Sequence, residues 1–343
     1  MSTDSPYVIS NITAPDSLPS AVVVLTMVSC LFSVAGAVVI FVAYYAVEEA
    51  RNQTRRLLVY ITIADLLTCL GNLIGSIRYF HRDEDDYVNR AENMALDCSN
   101  TDSVCVIQSF VTTFSTLASF FWTCIIMLHI LMTLYTRTEW TGFYKRVIFH
   151  IISWGVPMII TLTAAFCGAL GEDFSISTGP WCWIKGCLPP SEVVTWMFVT
   201  AKFWELSTYI LTTAFYLLIK FVLWRRQILS FRQRSNDNLR EEDQLYTMIF
   251  LVLIPLRIFG TGRFFIAYHK TLTNNSLVTF STIDKVLLYL QSIGDSGQAF
   301  CNCILFCVRD GVVRSGLVNS IRHACQCRQN DETERLLPTS PLN

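Results

Sequence analysis

The sequence has 343 residues, of which 52% are hydrophobic and only 15% are charged, and its formal net charge is -1. Ordinary soluble domains are about one-quarter charged, so this composition excludes such a domain and indicates an integral membrane protein in a lipid bilayer. The small net charge does not identify partners, because the side of the membrane on which each charge lies matters more. We expect no nucleic-acid partner.

The N-terminal segment, residues 1–19, contains no Lys or Arg before the first apolar run. The sequence therefore predicts no cleaved signal peptide. The segment is also too short to fold into a ligand-binding domain. Any ligand is thus expected to be recognised by the membrane-embedded part and its loops.

Apolar runs of 18 or more residues predict an all-α bundle of seven membrane-spanning helices. The predicted spans are 20–47, 57–80, 105–135, 146–170, 195–225, 245–269 and 281–307. The third span contains no Asp, Glu, Lys or Arg, and its small residues Ser115, Ala118 and Ser119 permit close helix approach. We expect it to be the central packing helix.

The distribution of Lys and Arg predicts the orientation of the bundle. One set of connecting segments contains 16 of these residues and the other set contains 4. The basic set is 48–56, 136–146, 225–244 and 308–343, and the other is 1–19, 81–104, 171–194 and 270–280. Because cytoplasmic segments are enriched in Lys and Arg, we expect an extracellular N-terminus at 1–19, a membrane domain at 20–310 and a cytoplasmic tail at 311–343.

Two kinds of covalent modification are predicted at the chain ends and loops. Asn11 and Asn274 lie in glycosylation sequons that this topology places outside. In the tail, apolar residues at helical spacing predict a short amphipathic helix on the membrane surface. Cys325 and Cys327 follow it and are candidates for palmitoylation, with free thiols as the alternative.

Four cysteines lie in segments expected on the oxidising side, namely Cys98, Cys105, Cys182 and Cys187. They allow two disulfide bonds in three pairings, and the sequence alone does not choose among these. We favour Cys105 with Cys182 and, with less support, Cys98 with Cys187.

Ionisable side chains within spans indicate functional sites, because a charge in hydrocarbon is unfavourable unless it is paired or hydrated. Lys202 and Glu205 share one face of the fifth span, and Arg263 is expected near the same depth on the sixth. These residues and Trp204 are predicted to line a cavity for a small polar ligand, and the basic groups favour an anionic one. The alternative is a salt-bridge network, such as Lys202 with Glu205, that only fixes helix packing.

Further polar residues near the middle of the bundle are candidates for an activation switch. Arg257 and Asp295 are expected near the midplane, and Asp65 and Asn302 in the inner half. Such buried polar groups can form an element with two arrangements, although a static hydrogen bond is an equal alternative.

Local motifs add a resemblance to this outline. Those that carry it are Ser119-Phe120-Phe121-Trp122-Thr123, Ser153-Trp154-Gly155-Val156-Pro157, Trp181-Cys182-Trp183-Ile184, Lys202-Phe203-Trp204-Glu205, Leu253-Ile254-Pro255-Leu256-Arg257 and Asn302-Cys303-Ile304-Leu305-Phe306. With seven spans and a cysteine opening the third, the sequence resembles G-protein-coupled receptors. The motifs are similar to those of the slime-mould cyclic-AMP-receptor-like family, and some are shared with secretin and adhesion receptors.

The resemblance implies a plasma-membrane receptor, not an enzyme, that responds to an unknown extracellular ligand and acts on a heterotrimeric G protein. No cofactor or metal is expected. The predicted G-protein face is basic and consists of Arg225, Arg226, Arg232, Arg234 and Arg240. The chain departs from rhodopsin-like receptors, because its third span ends Leu134-Tyr135-Thr136-Arg137 and its seventh lacks Asn-Pro-x-x-Tyr. A transporter or channel is the alternative, and the lack of a visible internal repeat argues against it.

Overall fold

The computed structural model describes residues 18–48, 51–81, 98, 102–136, 143–173, 179–230, 236–273, 282–311, 313–320, 322 and 326. Most of them are helical. The first half contains α1 (Ser20–Ala46), α2 (Gln53–Phe80), α3 (Ser103–Thr136), α4 (Phe143–His150), a π-helical turn (Ile151–Gly155) and α5 (Val156–Phe166).

The second half begins with β1 (Leu170–Gly171), β2 (Trp183–Ile184), α6 (Pro190–Met197), a π-helical turn (Phe198–Lys202) and α7 (Phe203–Ser230). It continues with α8 (Asn236–Leu272), α9 (Thr282–Gly294), α10 (Gln298–Cys303) and a last π-helical turn (Ile304–Val308). Residues 313–320 are also helical.

Five helical segments of the described chain are long and apolar enough to cross a membrane. They are Ser20–Ala46, Gln53–Phe80, Ser103–Tyr135, Tyr144–Phe166 and Pro190–Arg225. Many of their large side chains are exposed on the protein surface, for example Leu31 and Ile210. An outward apolar surface of this kind is suited to lipid rather than water.

Helix α3 occupies the centre of the bundle, where it contacts α2, α5, α7 and both short strands. Its small residues Ser115, Ala118 and Ser119 are fully buried, so neighbouring backbones approach closely. Trp122 and Phe120 fill the remaining volume and are at most 1% exposed.

The last predicted span, 281–307, is not one continuous helix in the structure. α9 ends at Gly294 and α10 begins at Gln298. A Cβ at Gly294 would overlap the carbonyl oxygen of Leu256, so the absence of a side chain at Gly294 lets α8 pack closely against the end of α9. The carbonyls exposed by the break find partners, since Ser29 donates to Ile293 O and Ser33 to Ser296 O.

A small antiparallel hairpin covers one end of the bundle; it consists of residues 169–173 and 179–188 and is called the hairpin below. Two disulfide bonds hold it, Cys105–Cys182 with Cα atoms 5.6 Å apart and Cys98–Cys187 with Cα atoms 5.8 Å apart. Gln108 adds two hydrogen bonds to Cys182, of which the one accepted from the backbone N–H is 2.8 Å long. The hairpin is therefore fixed to the first turns of α3.

Ionic contacts complete the attachment of the hairpin. Arg78 of α2 lies 3.2 Å from Glu172 and 2.6 Å from Asp102. Lys185 donates to the carbonyl of Cys98 at 3.3 Å, and burial lowers the pKa of this ammonium.

The helix at 313–320 packs back on α1. Val313 is buried, and Gly316 lies so close to Val47 that a Cβ there would be 2.6 Å from Val47 Cγ1. Arg55 and Asp310 form an ion pair beside it. The segment thus lies along the end of the bundle away from the hairpin.

Candidate ligand cavity and polar network

A cavity of about 70 Å³ lies beneath the hairpin, between α2, α3, the start of α7, α8 and α9. Its walls carry charged residues from the π-helical turn at Phe198–Lys202, from α7, from α8 and from the break between α9 and α10, together with threonines from α2 and α3 and two tryptophans of the hairpin. The charged residues are Lys202, Glu205, Arg257 and Asp295. The cavity is thus polar although it lies within an apolar bundle.

Lys202 and Glu205 form the first charged pair, with Lys202 Nζ 2.6 Å from Glu205 Oε2. Both side chains are buried, at 8% and 2% exposed. The second carboxylate oxygen accepts from Tyr209 at 2.6 Å and from Thr261 of α8. A buried ion pair needs such additional hydrogen bonds, because desolvation otherwise offsets the attraction between the charges.

Arg257 of α8 forms the second pair, but its contacts are longer. Its Nη1 lies 3.5 Å from Asp295 Oδ1, and its Nη2 donates to Gln298 at 3.2 Å. The guanidinium lies 5.4 Å from the centre of the Phe120 ring, within range of a cation–π contact. Gln291 donates to the other oxygen of Asp295 at 2.8 Å.

Hydrogen bonds continue from this pair to the opposite half of the bundle. Gln298 donates to Ser119 at 3.0 Å, and Ser119 donates to Asp65 at 2.6 Å. Asn302 donates to the second oxygen of Asp65 at 3.2 Å. The four predicted switch residues therefore belong to one connected set of contacts, called the polar network below: Asp295, Arg257, Gln298, Ser119, Asp65 and Asn302.

Two residues predicted for the cavity lie elsewhere. Arg263 donates to Asp284 at 2.7 Å and to Gln291 at 2.9 Å. Trp204 packs on Phe121, with ring centroids 5.2 Å apart, and donates to the carbonyl of Val199. Neither lines the cavity. The direction in which each side chain points depends on helix rotation, which the sequence alone does not show.

Most of the residues that line the cavity were not predicted from the sequence. The additional lining residues are Thr68, Asn72, Thr112, Thr113, Thr116, Trp181, Trp183, Thr200, Ala201 and Gln291. The signal that was available is the spacing of Thr112 and Thr116, which puts two hydroxyls on one face of an otherwise apolar helix. Uncharged polar residues are easily taken for helix-packing residues.

Several other predicted sites fall outside the described residues. These are the glycosylation sites Asn11 and Asn274, the palmitoylation candidates Cys325 and Cys327, and the side chains of Arg226, Arg232, Arg234 and Arg240. Arg225 is described and is exposed near the end of α7.

The amino-acid sequence matches a known receptor family over most of its length. The family model for seven-transmembrane receptors of the secretin family matches residues 20–293. The chain belongs to this receptor family. Its resemblance to G-protein-coupled receptors of the secretin and cyclic-AMP-receptor-like kinds is confirmed, and it has the role of a G-protein-coupled receptor.

Curated relatives of this secretin-family receptor extend over most of its length. G-protein coupled receptor 157 of Mus musculus is 30% identical over 326 residues, covering 92% of this chain and 89% of the relative. The protein of the same name from Homo sapiens is 30% identical and covers 85% and 81%. Cyclic AMP receptor-like protein A of Dictyostelium discoideum is 21% identical and covers 90% and 70%.

Proposed function

We propose that this receptor spans the plasma membrane seven times, binds a small extracellular ligand in the cavity and catalyses nucleotide exchange on a heterotrimeric G protein at its cytoplasmic face. The observation that carries the proposal is the polar network. It begins at the cavity wall with Asp295 and Arg257 and ends at Asp65 and Asn302 in the other half of the bundle. A change at the cavity can thus reach the far end through contacts between α8, α10, α3 and α2.

The disulfide bonds support the proposed orientation. Disulfides form on the oxidising, extracellular side of a membrane, so the hairpin end is assigned there. The start of α1 lies at the same end, because the backbone N–H of Leu18 donates to Tyr79 OH at 2.9 Å. This agrees with the excess of Lys and Arg in segments at the opposite end.

The proposed seven-span topology rests on α8 and the α9–α10 pair as the sixth and seventh spans. α8 contains Pro255, and the α9–α10 pair is interrupted near the same level. Interrupted helices are tolerated in a membrane where neighbouring groups satisfy the freed backbone, as Ser29 and Ser33 do here.

In this proposal the receptor is activated when a ligand shifts the populations of two arrangements of the helix bundle. A ligand in the cavity favours whichever arrangement of the bundle binds it more tightly, and the shift is no larger than that difference in affinity. In the proposal, rearrangement of the polar network changes the packing of α7 and α8 at their cytoplasmic ends, next to Arg225. The basic segment that follows Arg225 contacts the G protein.

Guanine-nucleotide exchange on a panel of purified G proteins tests this function. Membranes that contain the receptor should accelerate exchange on at least one G-protein class above the rate of empty membranes, owing to basal activity. The panel is repeated with Ser119→Ala, Asn302→Ala and Asp65→Asn at matched surface expression. Exchange equal to that of empty membranes for the receptor and for all three variants would contradict the proposal.

A further inference from the structure

The cavity contains buried hydrogen-bonding atoms that the protein does not satisfy. Arg257 Nε and Thr113 Oγ1 have no hydrogen-bond partner among the described residues, although their side chains are only 6% and 4% exposed. Both residues line the cavity. A buried polar atom without a partner is unfavourable, so a ligand group that hydrogen-bonds to either atom would remove this cost.

The volume of the cavity limits the size of that ligand. At about 70 Å³ it is far below the roughly 300–1,000 Å³ typical of sites for drug-sized molecules. One water-sized group needs about 10–15 Å³ on this measure, so the cavity accepts about five to seven non-hydrogen atoms. A peptide or a cyclic nucleotide would place only part of its atoms within this volume.

The charges of the wall define the chemistry of the ligand. Two cations, Lys202 and Arg257, and two carboxylates, Glu205 and Asp295, line the same space. A ligand with a single charge would attract one partner of an ion pair and leave the other buried without compensation. A ligand with one positive and one negative group avoids this, because it pairs with both signs at once.

The two ion pairs differ in how readily they accept a ligand. Glu205 is already engaged by Lys202, Tyr209 and Thr261. Asp295 is more open, since its side chain is 15% exposed and its contact with Arg257 is 3.5 Å long. Asp295 is therefore the group for a ligand cation, and Arg257 Nε with Thr113 the groups for a ligand carboxylate.

We propose that the cavity binds a small zwitterion, namely an amino acid of about five to seven non-hydrogen atoms, with its ammonium at Asp295 and its carboxylate at Arg257 and Thr113. The tryptophans Trp181 and Trp183 line the side of the site formed by the hairpin. This inference rests on the proposed receptor function and adds the ligand class to it.

Binding to the purified full-length receptor in detergent tests the inference without a G protein. The probes are glycine, alanine, serine, β-alanine and 4-aminobutyrate, compared with acetate and ethylammonium at equal concentration, and the readout is the Tm of the receptor. We expect at least one zwitterion to raise Tm in a saturable manner while neither singly charged probe does. No shift with any zwitterion, or an equal shift with acetate or ethylammonium, would overturn the inference.

Two variants and one control locate the effect. Asp295→Asn should weaken the binding of the active zwitterion about ten-fold to a hundred-fold, since it removes a charged hydrogen-bond acceptor. Thr113→Val should also weaken binding, and it should not lower Tm without a probe, because the hydroxyl it removes has no partner. Asp284→Asn is the control carboxylate, since Asp284 lies in α9 before the break that contains Asp295, is buried against Arg263 and does not line the cavity.

One result with these variants would contradict the proposed location of the site. Unchanged zwitterion affinity in Thr113→Val and in folded Asp295→Asn would place binding elsewhere. The Tm measurement contains no G protein, so the two proposals can fail separately. Absence of a Tm shift would overturn the ligand class and not the exchange activity. Absence of nucleotide exchange would not alter a positive binding result.

Discussion

Gly75 of α2 lies directly against Trp181 of the hairpin, where a Cβ on Gly75 would be 2.7 Å from Trp181 Cβ and 2.8 Å from its Cα. Only a residue without a side chain allows this approach. The contact is to backbone and Cβ atoms, so the hairpin itself would have to move to admit a methyl group. Gly75 therefore sets the position of the hairpin above the cavity.

We predict that Gly75→Ala destabilises the receptor by about 1–3 kcal/mol, the usual effect of overpacking a well-packed contact. The measurement is thermal unfolding of the purified protein. Gly155→Ala is the matched control, because its Cβ would meet nothing closer than Ile151 Cγ2 at 3.9 Å and its backbone is helical. Equal Tm values for the two variants would show that the hairpin does not rest on α2 in this way.

A second prediction concerns the Cys105–Cys182 disulfide. Its removal by Cys105→Ala should lower stability by about 2–5 kcal/mol and reduce surface expression, because the hairpin loses its main link to α3. Cys167→Ala serves as the control, since Cys167 is a free and exposed cysteine. If Cys105→Ala expressed and unfolded like Cys167→Ala, the bond would have no structural role.

The location of most spans was predictable from sequence because a run of apolar residues is a local property. The second span was predicted at 57–80 and the helix is Gln53–Phe80. The contact between Lys202 and Glu205 was predictable for the same reason, as i,i+3 residues on one helix are neighbours.

Contacts between helices were not predictable in this way. The close approach of Gly294 to the backbone of Leu256 depends on how α8 and α9 pack, and the partner of Arg263 depends on how far α8 is rotated toward Asp284. Neither relation leaves a periodic signal in the sequence. The polar residues that form the network were recognised individually, but Ser119 and Gln298, which join them, were not.

The third prediction addresses the buried pair of Lys202 and Glu205. Glu205→Gln leaves the Lys202 ammonium buried without its counter-charge, so it should destabilise the receptor by about 3–5 kcal/mol. The double variant Lys202→Met with Glu205→Gln removes both charges and should be more stable than Glu205→Gln alone. The measurement is thermal unfolding of the single and the double variant. If the double variant were less stable than Glu205→Gln alone, Lys202 and Glu205 would not be a mutually compensating ion pair.

A fourth prediction concerns the contact between Asp65 and Asn302. A double-mutant cycle with Asp65→Ala and Asn302→Ala should give a coupling free energy of about 1 kcal/mol, in the range found for hydrogen bonds between membrane helices. The measurement is the unfolding free energy of the four proteins. Additive effects of the two substitutions would mean that these side chains do not interact in the folded receptor.

The most direct test of the account is whether Ser119 couples the cavity end of the polar network to its far end. Ser119 accepts from Gln298 and donates to Asp65, so Ser119→Ala breaks both links with a minimal change of volume. Thr123→Val is the control on the same helix, because the Thr123 hydroxyl donates to the backbone of its own helix at Ser119 O.

Basal nucleotide exchange is measured for the receptor and both variants at matched surface expression, on the G protein that responds most strongly. The account predicts that Ser119→Ala changes the exchange rate about five-fold or more, a typical coupling between sites, while Thr123→Val leaves it unchanged. An active receptor whose exchange rate is the same in all three proteins would contradict the claim that the polar network transmits activation.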